Sequence, residues 1–493
     1  MEPGISRPPR QVTDGDRRSA SAPESVELLD GGDQAYPRML LAIARAQRSV
    51  HLEVYAFAPS GVGARFVDAL ARAASRGVTV RVQIDGWGSA RGGRAVAAAL
   101  REAGCAVRIY NRLLALLVGR FGRNHRKVLL VDDEVAFLGG INIGDENVGE
   151  GVRLGWADLA LEIRGPQCAH LGQMIRREPH RSVDSSLRIY VCGLGGGWRL
   201  RRRYLKAFAR ARQRIHVAHG YFLPDRGVVR AITAAARRGV QVRLLLGGRS
   251  DVPFARAATR SLYRRLLAAG VLIHEWSVSV LHAKVATIDG CRLLVGSFNL
   301  DPFSLANLEA LVEVADTQVV RQGEAWIQDH FARSRSMTSV EASSRLHRWL
   351  LDPLGRLVAR LADAMSRVIA SPGRRQASPD DSLPSRNRHS GLADTEHALA
   401  ASSSLRLARK AGVAVIGFSV LALGVALTVL PGPAVLVIPL GLAILATEFL
   451  WARTLLHRIR EPLRRLKVRA RRVLGRPSRP AGPKDRGDRQ DLP

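Results

Sequence analysis

The apolar positions along this chain switch repeatedly between two periods. From Tyr36 to Arg48 they fall at helical spacing, then Val50 to Phe57 alternates as a strand does and stops at Pro59 and Gly61. A second helical stretch runs to about Arg76, Gly77 caps it, and Val78 to Ile84 alternates again. Strand and helix taking turns in this way predict an α/β fold with a mixed or parallel sheet. Val128 to Val131 and Val285 to Ile288 are short apolar runs rich in β-branched residues, and they read as buried strands.

The order then repeats. ARAQRSVHLEVYAFAP, ending at Pro59, aligns with ARARQRIHVAHGYFLP, ending at Pro224, so that His51 meets His216 and Phe57 meets Phe222. AASRGVTVRVQI around Gly77 aligns with AARRGVQVRLLL around Gly239. The offset falls from 165 (His51 to His216) to 162 (Gly77 to Gly239) and 157 (His125 to His282), the drift that trimmed loops between equivalent elements would give. The duplication therefore spans whole domains.

At the end of each copy stands one frame. NHRKVLLVDDEVAFLGGIN holds His125, Lys127, Asp132, Gly139, Gly140 and Asn142; LHAKVATIDGCRLLVGSFN holds His282, Lys284, Asp289, Gly296, Ser297 and Asn299. Residues two apart on a strand share a face, so each His–Lys pair points one way. The candidate catalytic residues are thus His125, Lys127 and Asp132 with His282, Lys284 and Asp289, although the aspartates, seven positions after the histidines, read as strand-end or turn residues. Asn142, Asn299 and Ser297 are candidates for phosphate binding, with the glycines allowing close backbone approach. Face to face, the two copies would collect two imidazoles, two ammonium groups and two amides. Lysines and amides suit the non-bridging oxygens of a phosphoryl group. One imidazole can attack phosphorus while the other protonates the leaving oxygen and deprotonates the incoming one. Since lysines supply the charge, no metal and no cofactor are required. His51 and His216 read as satisfied histidines of the sheet; Tyr55, Tyr221 and Phe222 suit either the pocket mouth or the core.

Through NHRK, GGINIGDE and GSFNLDPFSLANLE the chain resembles the phospholipase D superfamily, with its doubled HKD motif, over roughly residues 30 to 340, and within it bacterial cardiolipin synthases without amino-terminal membrane helices. The resemblance implies two duplicated α-β-α domains, 27–185 and 186–340, with one active site at their interface. It also implies that His125 is the nucleophile and His282 the acid/base, an assignment the internal symmetry does not decide. It further implies an acidic residue orienting each histidine, for which Glu309 (NLE) and Asp158 (GWADL) fit.

Charge bears on partners. The 493-residue chain carries a formal +32, which favours polyanions, either nucleic acid or an anionic membrane. The four cysteines, Cys105, Cys168, Cys192 and Cys291, are scattered, form no CxxC, and fit a reducing compartment. The polar, proline-bearing start shows no signal peptide, and residues 1–26 read as disordered. Leu113 to Phe121 is apolar and flanked by arginines, so it reads equally as a buried helix or as a loop that dips into lipid.

Beyond the duplicated region, 341–370 contains an amphipathic helix (Ser344 to Ile369), and 371–404 reads as a polar linker. Ala411 to Leu430 is twenty residues without a charge, enough to span ~30 Å of hydrocarbon. The turn PGP and a second apolar run, Ala434 to Thr447, follow. Both flanks are positive, so an α-helical membrane hairpin over 405–452 with both ends in the cytoplasm is the simplest topology; the proline-broken second arm reads alternatively as re-entrant. LPGPAVLVIPLGLAILATEFLWA resembles the PGPGW membrane family, from whose core Ala434 and Val435 depart. The basic tail 453–493 suits adsorption to anionic lipid.

These readings predict a cardiolipin synthase-like phosphatidyltransferase at the inner membrane, with its catalytic domains on the cytoplasmic side and phosphatidylglycerol as substrate. Water as acceptor would make the same site a phospholipase D. A nuclease acting on nucleic acid and a non-enzymatic scaffold built on a dead site are the alternatives; the hairpin argues against the first and the intact motifs against the second.

Overall fold

A computed structural model describes residues 24–110, 122–178, 185–249 and 253–338. The Leu113–Phe121 stretch, the amphipathic helix, the linker, the hairpin and the basic tail lie outside the described residues. Among the described residues no helix is long and apolar enough to cross a membrane.

Two sheets form the frame. The first contains β1 (Ser25–Asp30), β2 (Ser49–Val54), β3 (Thr79–Asp85), β4 (Ala106–Tyr110), β5 (Val128–Val131), β6 (Val135–Gly139) and β7 (Leu159–Arg164), in the order β1-β7-β6-β5-β2-β3-β4. The second contains β8 (Leu187–Cys192), β9 (Arg214–His219), β10 (Gln241–Gly247), β11 (Leu272–Trp276), β12 (Lys284–Ile288), β13 (Arg292–Gly296), β14 (Glu309–Val314) and β15 (Arg335–Met337), in the order β15-β11-β10-β9-β12-β13-β14-β8. Without β15 the second order is the first read backwards, so the sequence repeat is a repeat of topology. Both sheets are mixed. β2, β3 and β4 run parallel, as do β9, β10 and β11, while the motif strands β5 and β12 pair antiparallel with β2 and β9.

The layers follow from the alternation. On β5, Leu129 and Val131 enter a core with α1 (Gly31–Arg45), α2 (Val62–Ser75) and α3 (Gly93–Glu102), whereas Val128 and Leu130 enter a second core. On β12, Val285 enters that same second core, while Ala286 and Ile288 pack with α5 (Gly197–Arg210) and α6 (Arg226–Arg237). The shared core thus lies between the two halves, and α4 (Pro166–Arg176) and α10 (Thr317–Ala332) contribute Leu171, Ile327 and Phe331 to it. Burying apolar surface there is worth roughly 25 cal/mol per Å², so neither half has a complete core alone. This is the physical reason the halves form one compact unit rather than two independent ones. The remaining helices are α7 (Pro253–Arg260), α8 (Tyr263–Leu267) and α9 (Pro302–Ala306).

Some boundaries differ from the sequence reading. β1 begins at Ser25, inside the stretch expected to be disordered. α1 starts at Gly31 rather than Tyr36 and carries Pro37 within it. His51 and His216 sit in the sheet as expected: His51 Nε2 meets Glu53 at 3.1 Å and His216 Nδ1 meets Glu324 at 2.7 Å, while Nε2 of His216 is buried with no hydrogen-bond partner among the described residues.

Asp132 and Asp289, grouped above with the catalytic candidates, are corrected to turn residues. Asp132 follows β5, about 17 Å of extended chain beyond Lys127. Its carboxylate accepts the backbone N–H groups of Gln47, Arg48 and Ser49 at 2.7–2.9 Å. Asp289 does the same for Arg212, Gln213 and Arg214 at 2.8–2.9 Å. Both adopt φ of 53°, a left-handed conformation that aspartate tolerates better than most residues. Asp132→Ala removes three charge-assisted bonds and should lower stability by about 2–4 kcal/mol, measured by denaturant unfolding, while the folded fraction keeps its turnover. Lost turnover at unchanged stability would contradict this.

Candidate active site

The motif histidines are buried at the seam between the halves. His125 N–H donates to the carbonyl of Leu308 at 3.0 Å, beside a parallel bridge between Asn124 and Leu308. His282 N–H donates to the carbonyl of Ala157 at 2.9 Å, beside a parallel bridge between Ala157 and Leu281. Each motif is therefore stitched to the other half just where its histidine sits.

The carboxylates cross the seam as well. Nδ1 of His125 lies 3.1 Å from Oε2 of Glu309, and Nδ1 of His282 lies 2.6 Å from Oδ2 of Asp158. Gly139 opposes Ala160 and Gly296 opposes Leu311, so Asp158 and Glu309, each two residues earlier, are equivalent positions of the two copies. The family resemblance supplied both acids but not that each serves the opposite half's histidine. A carboxylate held on Nδ1 keeps the proton there and leaves Nε2 with the lone pair.

The glycine pair explains how the acids fit. A Cβ on Gly140 would lie 2.2 Å from Oδ1 of Asp158, and one on Gly139 would lie 2.3 Å from the Leu159 carbonyl. Ser297 stands where the first copy has Gly140, and its hydroxyl donates to Glu309. Ser297 thus orients the acid. Lys127 Nζ donates to the carbonyl of His125 at 2.7 Å, and Lys284 makes the same bond to His282. Both lysines are buried. Asn142 accepts from the Ala56 N–H at 3.2 Å, whereas the amide oxygen of Asn299 is buried with no hydrogen-bond partner among the described residues.

Charges from both halves meet here. Burial, then Lys127, Lys284 and His282, hold His125 well below the usual imidazole range. Burial and Lys284 lower His282 to about 4 against the opposing pull of Asp158. Burial and the like charge of Lys284 bring Lys127 down to about 7, and burial raises Glu309 to about 7 against Lys127 and the Ser297 hydrogen bond. A bound anion would restore the depressed lysines and imidazoles, and it would hold the Glu309 carboxyl protonated more firmly still.

Aromatic rings close over the imidazoles. Tyr55 meets His125 edge-on at 4.8 Å between centroids, with Lys127 Nζ 5.1 Å from its ring. Trp156 and Tyr221 lie 5.4 and 5.9 Å from His282. Phe222, in contrast, is core.

The sequence reading missed a buried network behind His125. Arg126 pairs with Glu53 at 3.2 Å and donates to the Cys192 carbonyl of the second half at 2.9 Å. Asn124 donates its side-chain amide to Glu53 and its backbone N–H to Asp85, both at 2.8 Å. Burial acts to raise Glu53, but hydrogen bonds from His51 and Asn124 and the Arg126 charge win and lower it to about 2. The strand register puts Ala218 where the first copy has Glu53, and the motif alignment puts Ala283 and Leu281 at Arg126 and Asn124, so the second copy is apolar there. The available signal was parity: Arg126 sits between His125 and Lys127 and must face away from them.

Known proteins resemble this chain in sequence and in fold. Residues 39–167 and 204–331 match the family described as "Cardiolipin synthase, PLD-like domain", and residues 410–462 match the PGPGW transmembrane-protein family. Cardiolipin synthase B of Salmonella typhimurium is 35% identical over 321 residues, covering 59% of this chain and 76% of its own. Cardiolipin synthase B of Escherichia coli is 33% identical over 315 residues, with the same coverage of 59% and 76%. The crystal structure of a phosphatidylserine synthase from Haemophilus influenzae has the same fold, with a TM-score of 0.55 at 14% identity over 70% of this chain and 94% of its own. With its doubled topology and both motif matches, the chain belongs to the cardiolipin synthase family of PLD-like proteins.

Proposed function

We propose that this protein is a membrane-bound phosphatidyltransferase that makes cardiolipin from phosphatidylglycerol. The observation that carries the reading is the pair of crossed imidazole–carboxylate contacts, His125 with Glu309 and His282 with Asp158, beside two buried lysines. Nε2 of His125 attacks the phosphorus of one phosphatidylglycerol as His282, its proton favoured by Asp158 and by the charge of the bound phosphate, protonates the departing glycerol oxygen. The hydroxyl of a second phosphatidylglycerol then gives its proton to His282 and attacks the phosphohistidine, releasing His125 and forming cardiolipin. Lys127, Lys284 and the amides of Asn142 and Asn299 hold the non-bridging oxygens throughout. Asp158 and Glu309 fix the imidazoles, and Ser297 fixes Glu309. The PGPGW-like segment supports action at a membrane, and positive flanks on both sides of the apolar pair support catalytic domains on the cytoplasmic side of the inner membrane.

Purified protein given labelled phosphatidylglycerol should form cardiolipin and glycerol, and His125→Ala or His282→Ala should each lower the rate by about 10²–10⁴-fold. A metal chelator should leave the rate intact, since lysines supply the charge. Nicking of single-stranded DNA with untouched lipid would overturn the assignment in favour of a nuclease, and phosphatidic acid as the main product would make the protein a hydrolase.

The acids should separate by pH. With its carboxyl raised to about 7, Glu309 is neutral below that value, where glutamine imitates it, and ionised above it, where glutamine does not. Glu309→Gln should therefore stay near the parent rate at pH 6 and fall at pH 8, whereas Asp158→Asn should fall by about 10–100-fold at both. Equal losses for Glu309→Gln at both pH values would contradict the raised carboxyl.

A further inference from the structure

Large apolar side chains exposed to solvent are few on the described surface, and they are not spread evenly. Val152 is 105% exposed, Leu194 55%, Leu154 53% and Val278 43%. All four lie on loops that border the site. Val152 and Leu154 precede Trp156, which covers His282. Val278 lies four residues before His282, and its neighbour Val280 accepts the Ala157 N–H at 2.9 Å, so these two loops run side by side. Leu194 borders the other side: a Cβ on Gly122, three residues before His125, would lie 2.1 Å from its Cδ2. Leu41 on α1 and Leu272 on β11 are also exposed; Leu272 opens its strand, six residues before Val278 and at the opposite end from the Val278 loop.

Arginines stand beside the apolar residues. Arg153 lies between Val152 and Leu154 and meets Glu150 at 3.7 Å in an exposed pair of little energetic weight. Arg249 reaches the Val278 carbonyl at 3.4 Å. Arg123 lies over the Trp87 ring at 5.0 Å and donates to the Tyr55 hydroxyl at 3.0 Å.

We infer that the rim formed by Val152, Leu154, Leu194 and Val278 docks the mouth of the site on the surface of an anionic phospholipid bilayer. The inference rests on the reading of the site as one acting on membrane phospholipids. The buried histidines cannot come out to a headgroup, and pulling a lipid out to them would expose its acyl chains at ~0.8 kcal/mol per CH₂. A rim seated on the bilayer avoids that cost. The aliphatic side chains enter the acyl boundary and the guanidinium groups stay at the phosphate level, so depth and charge are set together. This contact is distinct from the carboxyl-terminal apolar pair, which holds the chain at a membrane without fixing which face meets it.

The test uses the full chain with Cys291→Ser, since Cys291 is exposed and the other three cysteines are buried. Single cysteines introduced as Leu154→Cys, Leu194→Cys, Val278→Cys or the control Leu272→Cys carry an environment-sensitive fluorophore. The protein is reconstituted in phosphatidylglycerol–phosphatidylcholine vesicles whose acyl chains are brominated. Probes at the three rim positions should be quenched and the control should not. Rim probes no more quenched than the control would overturn the inference, and equal quenching on pure phosphatidylcholine would overturn its anionic part. Leu154→Glu with Val278→Glu should lower the ratio of rates on vesicles and on detergent-dispersed lipid by about tenfold, the scale of one aliphatic side chain withdrawn from lipid. An unchanged ratio would also count against docking. Quenched rim probes on a protein that makes no cardiolipin would sink the proposed reaction and leave the docking face standing.

Discussion

Everything in this molecule depends on an exchange of acids across a seam. Asp158 belongs to one half and holds the histidine of the other, and Glu309 returns the contact. A buried imidazole without such a partner would be free to turn, and a buried carboxylate without one would carry an uncompensated desolvation cost. Neither half can therefore assemble a working histidine alone, and the apolar core shared by β5, β6, β12 and β13 holds the two contacts in place. The duplication is completed only where its copies meet.

The copies are alike in topology and unlike in what lies behind the motif. Glu53, Asn124, Arg126 and Asp85 fill the space behind His125 with a paired polar network that also reaches the second half at Cys192. Behind Lys284 the second copy places Tyr204 and His219, whose rings approach to 5.8 Å, and burial holds His219 down at about 3. A buried ion pair is costly unless well satisfied, and its most defensible use is to fix one arrangement among several. The network gives the His125 loop an ion-paired, hydrogen-bonded backing that the His282 loop lacks, an asymmetry that suits the proposed division of roles between the two histidines.

Much of this was legible beforehand because the signals are short-range. A run such as Val128 to Val131 is apolar on both parities because both faces of its strand are buried, and the sequence shows this directly. The seven-residue spacing from His to Asp placed the aspartates beyond the strand, and the backbone N–H groups they accept explain why the position takes that residue. What escaped was geometry between copies. Nothing local tells Glu309 that its partner is His125, 184 residues away, rather than the nearer His282. Trp156 escaped because its role depends on the fold of the loop that ends at it. The start of α1 was misplaced because its first turn, Gly31 to Gln34, carries no apolar side chain to show the helical spacing.

The central claim is that one histidine becomes covalently phosphorylated and that the opposite half turns it over. Rapid quenching of enzyme mixed with phosphate-labelled phosphatidylglycerol, followed by digestion under alkaline conditions and mapping of the label, addresses it directly. The account predicts a transient, acid-labile phosphate on the peptide that contains His125, appearing before cardiolipin and decaying as it forms. Cardiolipin formed at full rate with no protein-bound phosphate, or with label on a residue other than these histidines, would contradict it.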